Sequence, residues 1–247
     1  MYRFFVSSDQ IHEKDIIITG ADVNHIKNVL RMKNGEEIAV SNGTDPAEYR
    51  CLIREITEDE VHCSIIFVKE EGVELPVSVT LYQGLPKSDK MEWIIQKAVE
   101  LGVSRIIPVA TGRSIVKLDS KKALSKQERW QQIAIAAAKQ SKRGIIPEVG
   151  PVMSMKEALK DASSMEHKLI PYEMSEDAMK HTRNLISQIQ SGEQVAVFIG
   201  PEGGFEEKEI EAACKEGFNT ITLGKRILRT ETAGMTVLAW LIYQLED

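Results

Sequence analysis

The sequence predicts an α/β protein in two parts, a small β domain over residues 1–72 and a mostly parallel, helix-covered sheet over residues 73–247. Three observations predict it. Short apolar segments bounded by turn residues recur up to Gly72 at the spacing of a small barrel. The stretch Lys69-Glu70-Glu71-Gly72-Val73-Glu74-Leu75-Pro76 is polar, carries a glycine and ends in proline, which marks a border. From Val77 onward strand-like runs alternate with segments of helical period, the pattern of a sheet buried on both faces.

In the first part the expected strands are Arg3 to Val6, Ile16 to Thr19, Glu36 to Ser41, Glu48 to Ile56 and Val61 to Val68. A helix from Asp22 to Met32 interrupts them, with Val23, Ile26, Val29 and Leu30 on one face and Gly35 in the turn that follows. Asn42-Gly43 and Asp45-Pro46 mark a loop. In the second part the expected strands are Val77 to Gln83, Arg105 to Val109, Lys168 to Pro171, Val195 to Ile199 and Thr220 to Leu223. Helices are expected at Asp89 to Leu101, Lys122 to Ser141, Ser154 to Ala162, Ala178 to Gln190, Glu206 to Glu216 and Thr232 to Leu245. Asp89 precedes the Met91, Ile94, Ile95, Ala98 stripe and Gly102 closes that helix, while Glu206, Glu207 and Glu209 complement the dipole of theirs.

Composition narrows the class. A chain of 247 residues with 43% hydrophobic content can bury a full core. Cys51, Cys63 and Cys214 are odd in number and far apart, and no Cys-x-x-Cys or paired-histidine spacing points to a disulfide framework or a metal site. The apolar start Met1 to Val6 is too short for a signal peptide and the run Val237 to Tyr243 too short to span a bilayer, so a cytoplasmic location is expected. The net charge of −6 argues against nucleic acid over the whole chain, and residues 1–72 carry eight basic side chains against fourteen acidic ones. Between Arg113 and Arg143, however, nine basic residues face two acidic ones, either a phosphate-facing strip or a solvated helix face.

Two segments carry the chemistry. Phe198-Ile199-Gly200-Pro201-Glu202-Gly203-Gly204-Phe205 takes a buried strand straight into glycines and a proline and then into a helix. Ligands of open α/β sheets sit at such strand ends, and glycine lets the main chain approach them closely. No Lys-Ser/Thr follows to hold phosphate, and the spacing is not Gly-x-Gly-x-x-Gly, so an adenosine cofactor without a pyrophosphate contact fits. Leu223-Gly224-Lys225-Arg226-Ile227-Leu228-Arg229-Thr230-Glu231-Thr232-Ala233 again leaves a strand through glycine, and it sets Arg229 beside apolar residues just before the last helix. Thr230 or Thr232 also suits an N-cap there.

These segments resemble the two signature blocks of the ribosomal RNA small subunit methyltransferase E family, within the knotted SPOUT superfamily. Lys97-Ala98-Val99-Glu100-Leu101-Gly102, Gln140-Ser141-Lys142-Arg143 with Pro147, and Val29-Leu30-Arg31 extend the resemblance over nearly the whole chain. It implies a PUA-like barrel at residues 1–72 and a methyltransferase domain with a trefoil knot at 73–247. It also implies a homodimer that methylates N3 of a uridine in 16S ribosomal RNA with S-adenosylmethionine, and no metal. The cofactor is expected among Ile199, Gly200, Pro201, Glu202 and Gly203, then Leu223, Gly224, Ile227, Leu228 and Thr230, with Pro171 at another strand end. Arg3, Arg31, Arg113, Gln140 and Arg143 are expected to meet RNA. Arg229 is expected to stabilise the uridine anion, with Glu231, Glu202 or water taking the proton.

Overall fold

Alternating burial builds the first sheet from β1 (Arg3–Phe5), β2 (Asp15–Thr19), β3 (Glu37–Ser41), β4 (Glu48–Ile56) and β5 (Glu60–Lys69), in the order β1-β3-β4-β5-β2. β1 runs parallel to β3 and the other neighbours are antiparallel. Ile16 and Ile18, Ile38 and Val40, Cys51 and Ile53, and Val61 and Cys63 point into one core with Phe4, Val6, Val23 and Ile26, as a period of two requires. Register shifts at Arg50/Cys51 and Ile53/Glu55 bulge β4 and curl the sheet. This computed structural model describes residues 1–70, 72–172 and 178–246.

The helix expected from Asp22 to Met32 takes another form. Only α1 (Ala21–Asn24) is α-helical, and His25–Val29 continue as a wider π turn closed by Leu30 N–H to the His25 carbonyl at 2.8 Å. The extra residue in that turn rotates Val29 off the apolar face, leaving it 64% exposed while Val23 and Ile26 stay buried. Arg31 then ends the segment at φ 53°, a left-handed conformation uncommon outside glycine.

The chain divides into one unit of Met1–Glu74 with Ala138–Ile146 and another of Leu75–Ala137 with Pro147–Asp247. The return of residues 138–146 to the first unit has a local cause. The Glu74 carboxylate accepts from Arg143 Nε at 2.8 Å and from the N–H groups of Gly144 and Ile145 at 3.0 and 3.2 Å.

In the second unit β6 (Ser78–Gly84), β7 (Arg105–Ala110), β8 (Glu148–Val149), β9 (Met153–Ser154), β10 (His167–Pro171), β11 (Gln194–Ile199) and β12 (Asn219–Ile221) form a sheet ordered β12-β10-β11-β6-β7-β8, with β9 beside β7. Every pairing in it is parallel. Its helices are α2 (Lys90–Glu100), α3 (Ser120–Gln140), α4 (Met155–Asp161), α5 (Ala178–Ser187), α6 (Glu207–Lys215) and α7 (Thr230–Leu245). β8 and β9 have two residues each, too few for any period to show in sequence. The central strands are buried almost throughout, and Tyr82 of β6 stacks on Phe198 of β11 at 4.3 Å between centroids. Because the strands are parallel, the carboxyl ends of β12, β10, β11 and β6 share one edge, and the order in which strands are added reverses between β6 and β11, a topological switch point.

Candidate functional site

Ile199 ends β11 fully buried, and the loop after it folds back on itself. The Gly204 N–H closes onto the Pro201 carbonyl at 2.9 Å. A Cβ on Gly200 would stand 3.0 Å from both Cα and C of Gly204, main chain that cannot swing aside as a side chain can. The left-handed residue of the loop is Gly204, at φ +68°; Gly203 has no positive φ, and a Cβ there would meet Arg113, its Cβ at 3.2 Å and its carbonyl oxygen at 3.7 Å. The exit of β6 is a third glycine exit, where a Cβ on Gly84 would stand 2.7 Å from the Pro201 nitrogen.

Thr230, the first residue of α7, stitches these exits together. Its Oγ1 donates to the Gly200 carbonyl at 2.6 Å and accepts from Gln83 Nε2 at 2.9 Å. Gln83 also donates to the Gly84 carbonyl at 3.0 Å, and its Oε1 is buried without a hydrogen-bond donor. A buried acceptor without a donor is uncommon, and this one leaves a place for a donor at the strand end. From the other side Glu209 of α6, itself buried, accepts the N–H groups of Gly112 and Glu206 at 2.8 Å each, and Arg113 Nη1 donates to the Gly203 carbonyl at 2.9 Å.

The second exit follows β12. Leu223, Gly224 at φ +107°, and Leu228 are half-buried, as is Pro171 at the end of β10, where it registers with Ile221. Ile227 stands 93% exposed, outside any apolar wall among the described residues. The N-cap position of α7 is Arg229, so neither threonine caps the helix.

Charge gathers where the exits meet. Lys90 Nζ lies 2.9 Å from Glu202 Oε1 and 3.5 Å from Glu231 Oε2. The second contact is an ion pair only, because Glu231 Oε2 has no hydrogen-bond donor. Glu202 also accepts the Lys87 N–H at 3.1 and 3.3 Å. Partial burial pushes the Glu202 carboxyl upward, but the Lys90 ammonium and the main-chain N–H groups outweigh it and hold the group below its ordinary range. The hydrogen bond to Glu202 raises the Lys90 ammonium in turn. Arg229 is 81% exposed, with Glu231 Oε1 4.0 Å from its Nη1. Gln83, Gly84, Lys90, Gly112 and Glu209 are members of this site that sequence pattern missed.

The residues expected at RNA divide by exposure. Arg31, Gln140 and Arg113 are exposed. Arg3 and Arg143 differ from the expectation placed on them, since their side chains are 7% and 3% exposed. Arg3 donates to Ser41 Oγ and the Arg143 carbonyl at 3.0 Å each and pairs with Glu48, while Arg143 pairs with Glu74. Burial lowers the Arg3 guanidinium against the pull of Glu48. Guanidiniums so engaged leave little surface for a phosphate. Among the described residues no cluster of His, Cys, Asp or Glu could hold a metal, and no helix is long and apolar enough to cross a membrane.

Known proteins share this arrangement. Residues 73–242 match the family model of the RNA methyltransferase domain and residues 18–66 that of the RNA methyltransferase PUA domain, which makes the fold and site those of a PUA-bearing RNA methyltransferase. The ribosomal RNA small subunit methyltransferase E of Bacillus subtilis is 40% identical over 251 residues, covering 100% of this chain and 98% of its own. The S-adenosyl methionine-bound structure of the Neisseria gonorrhoeae enzyme of that name superposes with a TM-score of 0.85 at 31% identity, covering 99% of this chain and 98% of its own. A Legionella pneumophila methyltransferase with bound SAM gives 0.84 at 32% identity, over 98% and 97% of the two chains. The chain belongs to the ribosomal RNA small subunit methyltransferase E family.

Proposed function

We propose that this protein transfers the methyl group of S-adenosylmethionine to N3 of a uridine in 16S ribosomal RNA, as a cytoplasmic homodimer whose trefoil knot lies at the interface. The observation that carries the reading is the set of strand-end loops, packed so closely that a Cβ on Gly84 or Gly200 would press on neighbouring loop main chain, beside a buried Gln83 Oε1 that lacks a donor. Those features suit a cofactor held by main chain and shape. Ile199, Gly200, Pro201, Glu202 and Gly203, then Leu223, Gly224, Ile227, Leu228 and Thr230, with Pro171, are the residues to hold it.

When bound, S-adenosylmethionine supplies a methyl group already activated by its sulfonium. The work left to the chain is to align uridine and make N3 nucleophilic. Loss of the N3 proton leaves negative charge shared with O2 and O4, which a planar, permanently charged guanidinium can stabilise. Arg229 suits that role, because it is exposed and loosely tied where a structural arginine such as Arg143 is buried and bonded. The proton passes to Glu231, Glu202 or water; Glu202 accepts from Lys87 and Lys90, and Glu231 Oε2 lies 3.5 Å from the Lys90 ammonium. The first unit supplies RNA affinity through its exposed basic residues, Arg31 first.

Purified protein, small ribosomal subunits and methyl-labelled cofactor test the reading. Label recovered as N3-methyluridine in 16S RNA is expected, with a matching primer-extension stop that disappears in a deletion strain. Label confined to transfer RNA, or none despite cofactor binding, would overturn it. Sedimentation of an active monomer at assay concentration would overturn the homodimer.

A further inference from the structure

Lys90 belongs to no motif, yet its ammonium stands between carboxylates of two different exits. Glu202 lies in the loop after β11 and Glu231 in the first turn of α7, 2.9 and 3.5 Å from the same nitrogen. Their side chains are only 28% and 17% exposed, so water screens their mutual repulsion in part and no more. The other charges nearby do not replace Lys90. Arg229 is 81% exposed and 4.0 Å from Glu231, Lys87 offers Glu202 its main-chain N–H, and Asp89 beside Lys90 is exposed and negative.

We infer that Lys90 is a positioning residue of the methyl-transfer site, whose single charge balances Glu202 and Glu231 and thereby holds the loop after β11 to the start of α7. The inference rests on the methyltransferase reading above. Its physical content is charge balance, distinct from packing. Without the ammonium, a carboxylate on the loop after β11 and one on the first turn of α7 face each other. The two then part unless one carboxylate loses its charge.

Calorimetry of S-adenosylmethionine binding to the full chain separates the possibilities. Lys90→Met should weaken binding by about tenfold, between the small effect of an exposed pair and the large one of a buried pair. Lys90→Arg should keep near-normal affinity, and Lys90→Met combined with Glu231→Gln should recover most of the loss, because one negative charge has gone with the positive one. The deficit of Lys90→Met should also shrink as pH falls toward the carboxylate range. If Lys90→Met does not fold, Lys90→Gln carries the same expectations. Unchanged affinity in the single variant, or a double variant as weak as the single, would overturn the inference. A wild-type protein that binds no S-adenosylmethionine would instead overturn the methyltransferase reading, and this inference with it.

Discussion

Thr230→Val removes one hydroxyl at the point where the two signature loops join. Valine keeps the branched shape, so the start of α7 and its packing stay as they are, and what changes is the hydrogen bonding. Thr230 is 6% exposed and Gln83 is fully buried, so water replaces little of what is lost. The bonds to the Gly200 carbonyl at 2.6 Å and from Gln83 Nε2 at 2.9 Å both go. A net value of about 1 kcal/mol per bond, with about 1–3 kcal/mol for a buried donor left unmade, sets the scale. Gly200 is half-buried, so its carbonyl can be rehydrated and the unmade-bond penalty falls on Gln83 alone. The expected loss is about 2–4 kcal/mol, read by urea denaturation with an unchanged slope. S-adenosylmethionine affinity should fall with it, since the exits are no longer tied. In a double-mutant cycle with Gln83→Leu, the two changes should couple by about 1 kcal/mol or more. A Thr230→Val protein within about 0.5 kcal/mol of wild type, the range of an indifferent surface change, would refute the stitch.

Gly200→Ala should cost more cofactor affinity in calorimetry than Gly203→Ala, because the added methyl presses on two main-chain atoms of Gly204 at 3.0 Å at one position and first meets Arg113 Cβ at 3.2 Å at the other; equal effects would contradict the loop geometry. Burial pushes the Cys51 and Cys63 thiols up to about 12, Cys51 also through its neighbour Cys63, so iodoacetamide at pH 8 should label Cys214 alone in the folded protein and all three after denaturation, which mass spectrometry reads directly. Arg31→Ala should weaken RNA binding, lower the salt slope by about one and leave S-adenosylmethionine binding unchanged; an unaltered salt slope would remove Arg31 from the RNA surface. Arg229→Ala should fold and bind cofactor normally yet methylate about 10²-fold to 10³-fold more slowly, with partial recovery at raised pH where hydroxide helps remove the N3 proton. Near-normal turnover would end its catalytic assignment.

What was legible in the sequence is what a short window of residues decides. Ile199 to Phe205 announces a buried strand opening onto glycine, and that exit stands where the window put it, at the switch point of a parallel sheet. Which neighbouring glycine takes the left-handed conformation was not legible. That falls to Gly204 because its N–H closes on Pro201, leaving Gly203 with an ordinary φ. The partners of side chains were less legible still. Gln83 meets Thr230 across 147 positions and Arg143 meets Glu74 across 69. A charge count around Arg143 sees an excess of basic residues and leaves a phosphate-facing strip and a solvated helix face equally open, because the carboxylate that engages this guanidinium lies outside the window. Lys90 is the converse case: in sequence it is an ordinary lysine opening a helix, and its neighbours Glu202 and Glu231 lie more than a hundred residues away. Glycines show where a backbone must approach something. The side chains that complete the site are chosen by topology, which brings the ends of β6 and β11 and the start of α7 to one edge, and only there does one ammonium come to serve two carboxylates.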